Sequence, residues 1–374
     1  MAIQIREVQG KKDMKTFIYL PEKIHADHKT WVHPIYIEEW AYFDPKKNRS
    51  FAHSDTILAI AWHGDKPVGR IMGIINKMYN KIANENNARF YGLECYKDIE
   101  IARALLGFIE NWAKEKGCDK LVGPLGFSDK DPQGCMIEGH DQRVTITSNH
   151  SFPWMKDFYE ELGFETEIDM VSLLAPIPEE MPAYIDRVAE RVMRNTGFKL
   201  LEFTSRKKMK PWIVPIFRLV NETFKDIYGF VPMDEKEMQE MAGRYLPILN
   251  PRFVKIVTNP EDQPIAFMVM MPEISEGIRK ARGRLLPFGW YHILRESKKT
   301  KMITSLLGAI REDYRGRGID MLMGLKVVAS CQKAGMKFMD SHLILETNKN
   351  MIAEYVRFKG EVHKRFRVFY KNLK

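Results

Sequence analysis

The sequence predicts an α+β protein made of two similar halves, each a mixed, mostly antiparallel twisted sheet flanked by helices. Three observations carry this reading. Strand-like runs and amphipathic helical runs follow each other in the same order in both halves. Two hairpin prolines, Pro67 and Pro264, lie 197 residues apart, and so do two late glycines, Gly163 and Gly360. A proline-rich joint, Pro176-Ile177-Pro178-Glu179-Glu180-Met181-Pro182, falls near the middle. The expected domains are therefore residues 1–178 and 179–374.

In the first half, Ile3 to Val8 reads as a strand and two helical segments run to about Phe43. The strands Asp55 to Trp62 and Val68 to Asn76 are joined by the turn His63-Gly64-Asp65-Lys66-Pro67. Arg89 to Cys95 continues as a strand, Ile99 to Lys116 as a helix stopped by Gly117, and Lys120 to Leu125 as a strand. The second half repeats this order. Lys199 to Thr204 opens it, helices cover Pro211 to Leu249, and Phe253 to Thr258 pairs with Ile265 to Met271. Each half carries its own insertion, Gly126 to Pro153 and Ile274 to Thr300. At the carboxyl end Phe366, Val368 and Tyr370 alternate with Arg365, Arg367 and Lys371, the pattern of a half-buried strand.

The halves diverge at one turn. In the second, the apolar run Met302 to Ile310 leads through Tyr314-Arg315-Gly316-Arg317-Gly318-Ile319-Asp320 into a helix whose apolar residues recur at helical spacing up to Gly335. A helix start offers unpartnered N–H groups and partial positive charge, glycines let a backbone approach a diphosphate, and arginines add full charges. In the first half Tyr91 to Asp98 occupies this place without the glycines and arginines. That half is not expected to bind the same ligand.

Composition narrows the class. At 374 residues, 45% hydrophobic and 29% charged, the chain is a folded globular protein rather than a disordered one. No apolar run is long enough to span a bilayer and the amino terminus reads as a strand, so the expected compartment is the cytoplasm. Cys95, Cys118, Cys135 and Cys331 are scattered without a C-x-x-C pair and read as buried thiols, with no metal site expected. A net charge of +9 leaves a phosphorylated ligand, an anionic membrane surface, RNA, or simply a solvated basic surface as readings.

The Arg-x-x-Gly-x-Gly/Ala turn after a fourth strand, with Arg315, Gly318 and Asp320 on its defined positions, resembles the pyrophosphate loop of the GNAT superfamily of N-acetyltransferases. The repeated plan is similar to tandem GNAT proteins. The loop Gly134-Cys135-Met136-Ile137-Glu138-Gly139-His140-Asp141, the Arg-Gly-x-Gly-Ile turn and the strand end Leu345-Glu346-Thr347-Asn348 resemble a bacterial family that includes ceramide synthases. This resemblance implies acyl-CoA or acetyl-CoA as co-substrate and an amine acceptor, small or lipidic, in the extreme a sphingoid long-chain base. It implies diphosphate binding by Arg315, Gly316, Arg317, Gly318, Ile319 and Asp320. It also implies a thioester carbonyl held by amides near Ala309, Ile310 and Arg311. Asp320 departs from the family, which carries Gly or Ala there.

Glu346 reads either as the base for the amine, its carboxyl raised by burial, or as half of a structural ion pair. Asn350 and Ala353 fit the late family motif. Its tyrosine, four residues before a glycine, is met by Tyr159 in the first half, whereas Val356 stands there in the second and Tyr355 is one residue off. Glu138, His140 and Asp141 are candidates for folding over the acceptor. Trp290 and His292 belong to a basic, then aromatic and aliphatic run, Lys280 to Leu294. That run suits an acyl-chain tunnel, a contact at the inner membrane face, or packing on its own sheet. Two other functions compete with N-acyl transfer. One is a tRNA-dependent aminoacyl transferase of the Fem type, although no heptad arm is present and nucleic acid is not the expected partner. The other is a non-catalytic binding protein on the same scaffold.

Overall fold

A computed structural model describes residues 2–146 and 148–374 of the chain. The strands are β1 (Ile3–Glu7), β2 (Ser54–His63), β3 (Lys66–Asn76), β4 (Asn87–Cys95), β5 (Lys120–Gly123), β6 (Cys135–Glu138) and β7 (Glu165–Pro176) in the first half. The second half has β8 (Lys199–Glu202), β9 (Val254–Thr258), β10 (Pro264–Pro272), β11 (Met302–Ile310), β12 (Phe338–Asp340), β13 (Ile344–Leu345) and β14 (Glu361–Asn372). They form one continuous sheet in the order β1-β2-β3-β4-β5-β14-β7-β12-β11-β10-β9-β8, with β13 on β7 and β6 on β14.

Its centre is an exchange. The last strand of the chain, β14, lies between β5 and β7 of the first half, while β7 lies between β12 and β14. Each half thus completes its sheet with the other's strand. Phe366 and Val368 of β14 are fully buried, as the alternation predicts. The alternation breaks at a bulge between Val368 and Phe369, so Phe369 is buried and Tyr370 turns out to hydrogen-bond Glu165, contrary to the pattern.

Helices cover both faces. In the first half Phe17, Ile18 and Leu20 of helix Gly10–Ile24 pack on Ile60, Met72 and Ile74, and helix Ile99–Glu115 covers the opposite face over Ala59 and Ile71. In the second, helices Ile213–Thr223 and Glu235–Tyr245 cover one face. Helix Ile319–Lys333 covers the other, with Ile319, Leu322, Met323 and Val327 inward at spacings of three and four. All four cysteines are buried.

Candidate active site

The site begins where two parallel strands part. β11 and β12 pair only from Met302 to Thr304 against Phe338 to Asp340; beyond that β11 runs on to Ile310 alone on that side, while the chain after Asp340 follows β7 as β13. A V-shaped cleft results, with Thr304, Ser305 and Asp340 at its crotch. A bulge at Leu306 lies just inside it, since Val269 faces Leu307 and Met270 faces Ser305.

The edge of β11 supplies donors. The Arg311 N–H donates to the Ile265 carbonyl at 2.8 Å. Alternate residues of an antiparallel strand turn their polar groups to the same neighbour, so Ala309 faces β10 as well, and Gly308 and Ile310 face the cleft. Of the three expected carbonyl-holding amides, Ile310 is oriented for it. Ala309 and Arg311 are not, because the ladder to β10 claims them.

At the mouth, Gly318 caps helix Ile319–Lys333 at φ 79° with no side chain on its first-turn amides. A Cβ there would stand 2.8 Å from Val188 and 3.0 Å from Val192, so glycine is required by packing and by backbone alike. Gly316 has φ 73° in open space. Arg315 is exposed and reaches back to the Ile310 carbonyl at 3.3 Å, and Arg317 lies over the Tyr314 ring. Arg311 is instead clamped to Asp313 at 2.8 Å and 3.0 Å. Asp320 sits half-buried in the first turn, a position at which a negative charge suits the positive helix end. In the first half the corresponding helix start is closed: Asp98 accepts the Glu100 N–H at 2.9 Å.

Tyr355 lies at the crotch. Its ring packs among Val171, Leu173 and Ile344, its hydroxyl bonds the Ser305 side chain, and burial holds its phenol well above the ordinary value. Val356 is 55% exposed. The expectation that the tyrosine is displaced is corrected by the helix ends. In the first half Gly163 takes the left-handed position (φ 79°), and Phe164 N–H returns to the Tyr159 carbonyl. In the second half Lys359 takes it (φ 60°), and Gly360 N–H returns to the Tyr355 carbonyl. Gly163 therefore corresponds to Lys359, and Tyr159 to Tyr355. The matching separation of 197 between Gly163 and Gly360 joined two non-equivalent glycines. Tyr159 itself is core, 1% exposed.

Glu346 does not have the burial expected of a raised carboxyl. Its side chain is 41% exposed and accepts from Arg365 at 2.7 Å. Arg365 also reaches Glu138 at 3.4 Å, so two residues assigned separate roles in the sequence meet on one guanidinium. Asn350 is exposed, and the helix cap is Asn348, which accepts the Met351 N–H. Asp141 is exposed and bonded by its neighbour Gln142.

The groups at the crotch that sequence reasoning missed surround Asp340, which is fully buried. Its carboxylate accepts from Ser172 Oγ (2.8 Å), Lys364 Nζ (2.9 Å), His363 Nε2 (3.0 Å) and the His342 N–H (2.8 Å). Burial alone would push this carboxyl up; Lys364 and His363 outweigh it and hold it well below the usual range. On the other side of this ring, His363 Nδ1 is buried with no hydrogen-bond partner. Only chain tracing brings these residues together, for Ser172 and Lys364 come from opposite halves on paired strands.

The first-half insertion roofs this side. His140 accepts from Thr30 through its carbonyl at 3.0 Å, Arg143 pairs with Glu276 at 2.7 Å, and His342 bonds the Ile146 backbone. Behind the roof, Glu94 accepts from His25 at 2.8 Å and His25 meets His28 at 2.9 Å. Burial first, then neighbouring histidines, hold His28 down to about 4 and His150 to about 3, so both rings are neutral near pH 7. Trp290 and His292 lie on helix Gly289–Lys299; Trp290 is exposed, and of that run Ile293 packs against Met271, Ile274 and Ile278.

The fold is that of tandem GNAT proteins. Among solved structures, the tandem GNAT protein from the clavulanic acid biosynthesis pathway superposes with a TM-score of 0.55, covering 100% of this chain and 99% of its own at 10% identity. The GCN5-related N-acetyltransferase from Sphaerobacter thermophilus gives 0.50, with 100% and 96% covered at 12% identity. In sequence, the chain is 27% identical to Protein YghO of Escherichia coli (strain K12), over 99% of this chain and 95% of that one. It is 24% identical to the bacterial ceramide synthase of Caulobacter vibrioides, over 99% and 98%. No family model matches the chain. Among the described residues, no helix is long and apolar enough to cross a membrane and no group of side chains is arranged to hold a metal ion.

Proposed function

We propose that this chain is an acyl-CoA-dependent N-acyltransferase that acylates a lipidic amine, of the sphingoid long-chain base type. The observation that carries the reading is the cleft between β11 and β12, with a glycine-capped, side-chain-free helix start at its mouth and the Tyr355 hydroxyl at its crotch. The likeness to the ceramide synthase of Caulobacter vibrioides over nearly the full length supports the acceptor class. Residues 179–374 hold the acyl donor and residues 1–178 wall the acceptor side.

In this reading the diphosphate rests on the first-turn amides after Gly318 with Arg315 and Arg317 beside it, and the pantetheine arm lies along the Gly308 and Ile310 edge. The amine nitrogen attacks the thioester carbon; the N–C bond forms and the C–S bond breaks. The amine proton passes to His363 Nδ1, whose tautomer Asp340 fixes, and the departing sulfur takes the Tyr355 hydroxyl proton. His363 replaces Glu346 as base because its ring bonds Asp340 at the crotch and its Nδ1 has no partner, whereas Glu346 is paired with Arg365 at the outer end of the other limb. The basic residues of the last strand are largely paired internally, Arg365 with Glu346, Arg367 with Asp169 and Lys371 with Glu110, which disfavours an RNA partner. Titration calorimetry with coenzyme A and palmitoyl-CoA, followed by mass spectrometry of a sphingoid base incubated with palmitoyl-CoA, tests the proposal. Absence of binding to both ligands sinks it.

A further inference from the structure

The insertion between β10 and β11 folds as two helices, Ser275–Ala281 and Gly289–Lys299, and its outer side is left uncovered. Leu286 is 78% exposed, Phe288 71%, Trp290 49%, Tyr291 51% and Leu294 52%. Five large apolar side chains within nine residues, all facing outward, are not the scattered exposure of an ordinary soluble surface. The inner side is spoken for: Ile293 packs against Met271, Ile274 and Ile278, and Gly289 fits against Arg284 and Ala281. Residues 290, 291, 294, 295 and 298 share one helical face, so the apolar stripe continues into Arg295 and Lys298, with Lys299 alongside. These three are exposed and, among the described residues, form no ion pair, while Arg282 and Arg284 at the other end are held by Glu22.

We propose that this face seats the protein on an anionic lipid surface, with Leu286, Phe288, Trp290, Tyr291 and Leu294 entering the interfacial layer and Arg295, Lys298 and Lys299 lying against lipid phosphates. Aromatic and leucine side chains bordered by free cations are the composition an interfacial helix requires. Charge complementarity selects a lipid surface over a second copy of this chain, since two copies face to face would oppose the same three cations. The placement deepens the acyl-transfer reading and rests on it for its purpose. Leu306, the bulged residue inside the cleft, packs against the Met271, Ile274 and Ile278 cluster that also receives Ile293 of this helix, so one small apolar cluster joins the helix to the cleft.

The test is vesicle co-sedimentation of the full chain, without acyl-CoA, on phosphatidylglycerol-rich and on pure phosphatidylcholine vesicles. The wild type is expected to bind the anionic vesicles and to lose most binding on the neutral ones. The Leu286→Glu/Phe288→Glu variant should bind at least ~tenfold more weakly, since each buried large apolar side chain contributes about a factor of ten. The Arg295→Glu/Lys298→Glu variant should lose the preference for anionic lipid. Both pairs are exposed, and circular dichroism checks that the fold is kept. Failure of the wild type to bind anionic vesicles, equal binding by the first variant, or a concentration-dependent dimer that the first variant abolishes overturns the proposal. Acylation of a water-soluble amine, measured alongside, should be unchanged in both variants; its absence in all three proteins counts against acyl transfer while leaving the vesicle result to stand.

Discussion

Tyr355→Phe removes one oxygen from the crotch of the cleft and separates the two ways of aligning the halves. If the hydroxyl protonates the departing thiolate, its loss should lower kcat by a factor of about 10² to 10⁴, or ~3–5 kcal/mol of barrier. The ring stays, so packing among Val171, Leu173 and Ile344 is kept, and the lost bond to Ser305 should cost only about 1 kcal/mol of stability. The KM for acyl-CoA should hardly move, because the hydroxyl meets only the leaving sulfur. Thiol release, read with a chromogenic disulfide, gives kcat and KM directly. Tyr159→Phe should leave both unchanged, as that ring is buried in the first half. Adding Val356→Tyr to the Tyr355→Phe protein should restore nothing, since position 356 is exposed. A Tyr355→Phe rate within about threefold of wild type, or rescue by Val356→Tyr, would refute the assignment.

Gly318→Ala combines a left-handed backbone with contacts of 2.8 Å and 3.0 Å to two valines. It should weaken coenzyme A binding about tenfold in calorimetry, whereas Gly316→Ala, with open space, should show only the backbone cost of ~1–2 kcal/mol. Asp340→Asn leaves the Lys364 ammonium buried without its counter-charge and should cost about 3–5 kcal/mol in urea unfolding, with Asp340→Asn/Lys364→Met recovering part of it. A single-variant midpoint equal to wild type contradicts this. Acid should destabilise the fold well before carboxylates titrate. Burial is the chief cause holding His28, His33 and His342 down to about 4 and His150 to about 3, against ~6.5 unfolded. Below pH ~6.5 the unfolded chain binds protons that the folded chain refuses. Stability present above that pH is thus lost progressively toward pH 4, by several kcal/mol in sum. Urea midpoints that stay flat between pH 7 and pH 4.5 would contradict it.

Much of the fold was legible because its signals are local. The hairpin at Gly64, the helix from Ile99 to Gly117 and the paired strands around Asn259 to Gln263 each follow from residues within a dozen positions. The glycine turn from Arg315 to Asp320 was legible for the same reason, as a strand, two glycines at positive φ and a helix start are consecutive in the chain. The late tyrosine was not. Counting back from Gly360 gives Val356, but Lys359 holds the left-handed position, and a non-glycine there leaves no mark in the sequence. The exposed apolar run from Leu286 to Leu294 was legible in composition only, because the same residues would serve a core until a neighbouring element is seen to cover them or not.

The sequence by itself determined the order of elements, the presence of two like halves and the strand, glycine turn and helix start around Arg315 to Asp320, since propensity, periodicity and glycine geometry act over a few residues. Tertiary structure alone decided the rest. It exchanged β7 and β14 between the halves and thereby set Ser172, Asp340, His363 and Lys364 around one carboxylate. It turned Tyr355 rather than Val356 to the crotch, and took the Arg311 amide out of the cleft. These depend on pairings between residues as much as 205 positions apart, as Glu165 and Tyr370 are, where a one-residue shift reverses the face a side chain presents.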